Sequence, residues 1–328
     1  MELKLARSKF DFTPLLLIAP FFLWGTAMVA MKGVMSDTTP LFLASLRIAP
    51  AGALVLMAAA MMGKSQPRSW QAWLWILLFA LVDGTMFQGF LAEGLVRTGA
   101  GLGSVAIDSQ PLIVALLSGW FYQERIGWKG WLGLGLGIVG IAAIGLPDTW
   151  IDAFLAGEVH KIQLGELFEG GVWLMLLASV SMALGTVMMP KVSEYVDPVV
   201  ATGWHMILGG LPLLGMSAIW ESQQWANIHG WGWCAIAYST VFGSAIAYGL
   251  FFYFASKGNL TRLSALTFMT PVFALFFGNL LLAEVLTPLQ WAGGAIALLG
   301  VWSIERGNRP DLEENVSWAS SDLESEKL

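Results

Sequence analysis

An all-α membrane protein is the fold class this sequence predicts: ten transmembrane helices in two inverted five-helix repeats, with both termini cytoplasmic. Three observations predict it. The 328 residues are 56% hydrophobic and only 12% charged, with a mean hydropathy of +0.67, whereas soluble domains carry about 25% charge. The apolar residues collect in runs near the ~20 needed to cross ~30 Å of hydrocarbon. Finally, the second half repeats the first after a shift of 160 residues.

The runs fall at about 13–35, 41–62, 72–95, 102–122, 128–147, 172–190, 199–219, 231–254, 262–282 and 289–305. The first is long for a signal-peptide core and lacks a small-residue cleavage site, so it reads as a retained span. Short polar loops join the runs, except for a long, mostly acidic segment at 148–171. The expected organisation is a cytoplasmic N-terminus over 1–12 and a first repeat over 13–147. An external loop over 148–171, a second repeat over 172–305 and a disordered cytoplasmic tail over 306–328 complete it.

Lysine and arginine set the orientation, because cytoplasmic loops carry an excess of both. With the N-terminus inside, Lys4, Arg7, Lys9, Lys64, Arg68, Arg125, Lys129, Lys191, Lys257, Arg262, Arg306, Arg309 and Lys327 fall on the inner side. Only Lys32, Arg97 and Lys161 fall outside, and Arg47 lies within a span. Thirteen against three places both termini in the cytoplasm of a multi-pass protein of the cell's inner membrane.

The repeat runs without a gap through its landmarks. Gly25, Thr26, Met28 and Asp37 meet Gly185, Thr186, Met188 and Asp197. Trp73, Ser104, Pro111 and Glu124 meet Trp233, Ser264, Pro271 and Glu284, and Gly133 and Gly140 meet Gly293 and Gly300. Five spans per copy is an odd number, so the second copy enters the membrane from the opposite face. Inverted repeats are a plan of secondary transporters, where two copies facing opposite ways can exchange roles as inner and outer gate. A channel is the architectural alternative.

FLWGTAMVAMKG, PLFLASLRIAPAGALVL with its arginine, and the stretch from Gly99 to GWLGLGLGIVG resemble an EamA domain. TPVFALFFGNLLLAEVLTPLQWAGGAIALLGV resembles the end of a second, more diverged copy. The resemblance spans about residues 14–305 and is to the drug/metabolite transporter superfamily. It implies ten spans around a central cavity and a small-molecule substrate, with many bacterial members exporting amino acids or other metabolites. Asp83 and Asp108 stand outside the general pattern, and Ile207 stands where the first half has Arg47.

At ~1.5 Å rise per residue, Arg47, Gln88 and Asp108 sit roughly 10 Å below the outer edge, with Asp83 deeper. Ionisable groups at such depths are costly unless they pair or face water. Arg47 and Asp108 therefore read either as a buried ion pair or as a polar cavity wall. Asp83, with no basic residue in view at its depth, reads as a hydrated cavity acid or a proton carrier. His205 reads as a satisfied hydrogen-bonding group or a relay, and Trp24 and Tyr248 as cavity lining or packing.

Pro111 and Pro271 each deprive a carbonyl, on Ile107 and Thr267, of its helical donor. They read as static kinks or as a matched pair of hinges. Gly133, Gly137, Gly140, Gly293 and Gly300 form small-residue faces for close helix contact, either between spans five and ten or with a second copy in a homodimer. GLGIVG matches a dinucleotide pattern but lies in an apolar span without a preceding strand, so it carries no such reading. Glu93 and Arg97 are spaced as a local helical pair, while Glu124 and Glu284 lie near opposite faces.

The enzyme alternative finds no support in motifs. Neither a nucleophilic G-x-S-x-G serine nor H-E-x-x-H is present. No phosphate-binding loop of the G-x-x-x-x-G-K-[ST] type appears either, which argues against direct use of ATP. One cysteine, Cys234, excludes an internal disulfide and a multi-cysteine metal site. The sequence thus calls for no cofactor or metal and no nucleic acid, and for the lipid bilayer, a small-molecule substrate and protons as partners.

Overall fold

The computed structural model describes residues 13–98, 100–146, 150, 156–157, 171–283 and 285–307. The expected acidic external loop lies almost wholly outside these residues, as do the N-terminal segment, the tail and Glu284.

The first half builds α1 (Thr13–Lys32), α2 (Pro40–Met61), α3 (Trp70–Arg97), α4 in two pieces (Ala100–Ile107 and Gln110–Phe121) and α5 (Trp128–Gly145). The second builds α6 (Gly171–Ser193), α7 (Pro198–Trp220), α8 (Gly230–Ala255), α9 (Leu260–Leu282) and α10 (Pro288–Gly307). Among the described residues, nine of these helices are long and apolar enough to cross a membrane. The remaining one, α10, spans 20 residues but is less apolar, carrying Gln290 near one end and Glu305 and Arg306 at the other. It packs along α5 in the most extensive helix pair of the molecule.

Helix starts follow local chemistry. Proline opens α2 and α7, where its missing N–H is not needed. Ser69 caps α3 by accepting from Ala72 N at 3.2 Å, and Asp197 caps α7 by accepting from Val199 N at 2.9 Å. The start of α2 is capped from a distance. The Glu221 carboxylate accepts from Thr39 Oγ1 at 2.7 Å and from the backbone N–H groups of Leu41 and Phe42 at 2.8 and 3.0 Å. Glu221→Ala therefore orphans two helix donors and a hydroxyl. We expect it to cost about 1–3 kcal/mol, read as a lowered Tm of the purified protein.

Contacts between helices come in symmetric couples. α2 packs on α7, a pair that is its own symmetry mate, and α1 packs on α9 as α6 packs on α4. Likewise α3 packs on α7 and α6 as α8 packs on α2 and α1. Shifting each helix by five converts each pair into the other, so the sequence repeat is carried into three dimensions. α5 and α10 meet through the anticipated glycines. A Cβ on Gly133 would lie 2.6 Å from Gly300 O, and one on Gly140 would lie 2.6 Å from Gly293 O. Gly137 receives the Phe268 ring, at 2.2 Å from such a Cβ. These small faces are spent on one another and on α9.

Two breaks and two wide turns interrupt the helices. α4 opens just before Pro111, and α9 passes through a 3-10 turn at Leu266–Phe268 just before Pro271. In α3 and α8, π-helical segments run over Ala80–Phe87 and Ser239–Ile246, again at matching places in the two halves. No sequence pattern signalled these π segments. Such turns gather at functional sites because they rotate side chains out of the α register.

Candidate functional site

The polar side chains at the middle of the bundle come from both halves. Gln88 on α3 and Tyr248 on α8 are repeat equivalents, 160 residues apart, and Gln88 Nε2 donates to Tyr248 Oη at 2.9 Å. A bond between two equivalent positions straddles the pseudo-two-fold axis, so it marks the molecular centre. Beside it, Asp83 Oδ2 lies 3.2 Å from His205 Nε2. Both side chains are almost fully enclosed, at 1% and 2% exposure. Asp83, Gly84, Gln88, His205 and Tyr248, with Ile48 and Met206, line an interior space of about 160 Å³ that is closed to a water-sized body.

Backbone contact makes this geometry possible. A Cβ on Gly84 would sit 2.7 Å from Gly209 Cα and 2.8 Å from His205 O. Only two glycines let α3 and α7 approach so closely, and that approach brings Asp83 to His205. Thr85 Oγ1 donates to Gly209 O at 3.0 Å and fixes the register of the crossing. From the far side α6 closes in, with Gly185 placed where a Cβ would meet Asp83 Oδ1 at 2.4 Å.

Aromatic rings wall the cluster. Phe79 stacks on the His205 imidazole with centroids 4.0 Å apart, and Phe252 meets it edge-on at 5.4 Å. Trp24 on α1 packs edge-on against Tyr248 at 5.2 Å. Arg47 on α2 is a neighbour of Tyr248. Three polar atoms at this centre are buried without a hydrogen-bond partner among the described residues: Trp24 Nε1, Arg47 Nε and Asp83 Oδ1. Two donors and one acceptor are thus buried around this centre with nothing to bind, whereas buried polar groups usually find partners.

Of the residues singled out from the sequence, the structure gathers Trp24, Arg47, Asp83, Gln88, His205 and Tyr248 around one point. Asp108 stands apart, half-buried at the break of α4 and not among the residues lining the central space. Among the described residues no ion pair joins it to Arg47. Equal depth did not mean adjacency, because Arg47 turns toward Tyr248 while Asp108 sits in the α4 turn. The view of Asp83 as lacking a basic neighbour is likewise corrected, since His205 reaches it from α7. That contact links residues 122 apart in the chain, and nothing local announces it.

The proline breaks carry polar atoms of their own. Gln110 and Thr270 precede Pro111 and Pro271 at equivalent places, and Gln110 Oε1 and Thr270 Oγ1 are both buried without a partner among the described residues. Gln110 Nε2 reaches Thr186 Oγ1 at 3.3 Å. Toward the ends of the bundle, Glu124 accepts from Thr261 Oγ1 at 2.8 Å and so ties α4 to α9 across the halves. Glu93 and Arg97 form the local pair anticipated from their spacing. Among the described residues, no three of His, Cys, Asp and Glu gather as metal ligands.

The sequence profile of the EamA-like transporter family matches residues 12–146 and 169–306, one copy on each half. An uncharacterized transporter of Synechocystis sp. is 60% identical over 307 residues, covering 93% of each chain. A WAT1-related chloroplastic protein of Arabidopsis thaliana is 48% identical over 292 residues, covering 88% of this chain and 68% of that one. A solved crystal structure superposes with a TM-score of 0.72 over 88% of this chain and 94% of the other, at 17% identity. At that identity the likeness speaks for the fold alone.

Proposed function

The chain belongs to the EamA-like transporter family, and from that premise we propose that it is a secondary transporter, not driven by ATP, that exports a small metabolite such as an amino acid. In this reading all ten helices span the bilayer, both termini face the cytoplasm, and the two repeats are inverted. They rock around the central cluster so that it opens alternately to either side. Pro111 and Pro271 serve as the matched hinges, since each break frees a carbonyl and lets half of a helix swing.

The observation that carries the reading is the set of buried, unpartnered polar atoms around the centre, Trp24 Nε1, Arg47 Nε and Asp83 Oδ1. Their chemistry suits a solute with both an anionic and a cationic or donor group, held in an aromatic box of Trp24, Tyr248 and neighbouring rings. Arg47 takes the carboxylate, since a guanidinium binds it through two parallel bonds.

A screen of solutes for thermal stabilisation of the purified protein, beginning with amino acids, tests this. A solute at 100 times its Kd adds about 2.7 kcal/mol to the folded state. Arg47→Ala is expected to abolish the stabilisation by carboxylate-bearing solutes while leaving the unliganded stability within about 1 kcal/mol of wild type, since the buried Nε makes no bond to lose. Stabilisation that survives both Arg47→Ala and Trp24→Ala would place binding elsewhere in the molecule.

A further inference from the structure

The contacts of His205 fix how many protons the central pair holds. His205 Nδ1 lies 2.6 Å from Thr202 O. A carbonyl oxygen can only accept, so Nδ1 carries a hydrogen. Nε2 faces Asp83 Oδ2 at 3.2 Å, and this contact also needs a hydrogen between the two atoms. Two arrangements satisfy it: an imidazolium donating to a carboxylate, or a carboxylic acid donating to a neutral imidazole. Each holds one proton between Nε2 and Oδ2, and each leaves the pair with no net charge.

Removing that proton changes the sign of the contact. The Nε2 lone pair would then face an anionic oxygen at hydrogen-bond distance, inside a space closed to water. No neighbour compensates for the loss. On Asp83, α6 presents Gly185 against Oδ1, and that oxygen has no partner among the described residues. α8 presents Tyr248, whose hydroxyl accepts from Gln88 and makes no hydrogen bond to Asp83 among the described residues, and α2 presents Arg47, which forms no ion pair with Asp83 among them. On His205, Phe79 and Phe252 cover the ring with no ionisable group.

Asp83 belongs to the first repeat and His205 to the second. We infer that they share a single removable proton, that its loss unlatches α3 from α7, and that this proton is the ion coupled to transport. The latch itself stands on geometry alone, and the coupling rests on the transporter reading above. The step balances simply: a transient parting of the helices admits water, the proton passes from the Nε2–Oδ2 contact to that water, and the deprotonated pair keeps the helices apart until a proton returns. α3 and α7 run parallel, because Gly84 meets Gly209 as Gly89 meets Leu213. Their C-terminal ends therefore report the parting.

The test places spin labels at Val96 and Trp220, which are 50% and 71% exposed at those ends, in a protein whose exposed Cys234 has been replaced by serine. The inter-label distance is read by electron spin resonance from about pH 5 to about pH 9, the range in which histidine and its partners exchange protons. The wild-type distance is expected to lengthen as the pH rises. Asp83→Asn should hold it short throughout, because the amide N–H can donate to a neutral Nε2 without a removable proton. His205→Gln should do the same by donating to the Asp83 carboxylate, and it serves if the first variant fails to fold. A wild-type distance that ignores pH, or a folded variant that keeps the wild-type response, overturns the inference. No solute is needed, so the result stands or falls independently of whether the chain transports anything.

Discussion

His205→Leu is expected to be among the most damaging single substitutions in the protein, costing about 3–5 kcal/mol. Leucine fills much of the imidazole's space beneath Phe79 and Phe252, so the loss is not chiefly one of packing. It arises because Asp83, at 1% exposure, would then have neither oxygen partnered. Oδ1 already lacks a partner among the described residues. Thermal unfolding in detergent should show the lowered Tm. The double variant Asp83→Leu with His205→Leu should recover most of it, since an apolar pair removes the desolvated charge along with its partner. Equal losses in the single and double variants would mean that packing, not the unpaired acid, sets the cost.

Gly209→Val is the second large effect, and its cause is steric. A Cβ on Gly209 would lie 2.4 Å from Gly84 Cα, 2.7 Å from Gly84 C and 2.9 Å from Ala80 O. All three are backbone atoms of α3, so no side chain can swing aside, and the helices themselves must separate. Overpacking of ordinary cores costs about 1–3 kcal/mol, and a rigid backbone neighbour places this case at or above the top of that range. The separation also draws Asp83 away from His205. The yield of monodisperse protein and its Tm check this, and a valine variant of wild-type stability would show that α3 and α7 do not meet so closely.

Much of this architecture was legible because the bilayer imposes it. Hydrocarbon thickness sets the length of each apolar run, so α1 to α9 could be placed within a few residues of their observed ends. α10 is helical where its run suggested, but Glu305 and Arg306 dilute it. The 160-residue shift exposed the repeat, and Pro111 and Pro271 exposed the breaks, because a missing N–H cannot be hidden. The α5–α10 glycines could be read from spacing alone, which left open whether their partner was each other or a second copy.

What could not be read was azimuth. Rise per residue gives depth, but it does not say which wall of the bundle a side chain faces. Arg47 and Asp108 share a depth and still do not meet. Asp83 seemed to lack a basic neighbour because His205 lies 122 residues away, on a helix whose rotation the sequence leaves open. The π segment at Ala80–Phe87 compounds this, since a widened turn changes the facing of Asp83 and Gln88 without any residue type to mark it.

The most direct test of the central claim, a carrier that alternates around the on-axis cluster, is counterflow in proteoliposomes loaded with the best stabilising solute. The account predicts that labelled solute accumulates saturably against unlabelled solute inside, and that Arg47→Ala abolishes the accumulation. Flux that rises without saturation, or ionic currents at channel rates, would contradict it.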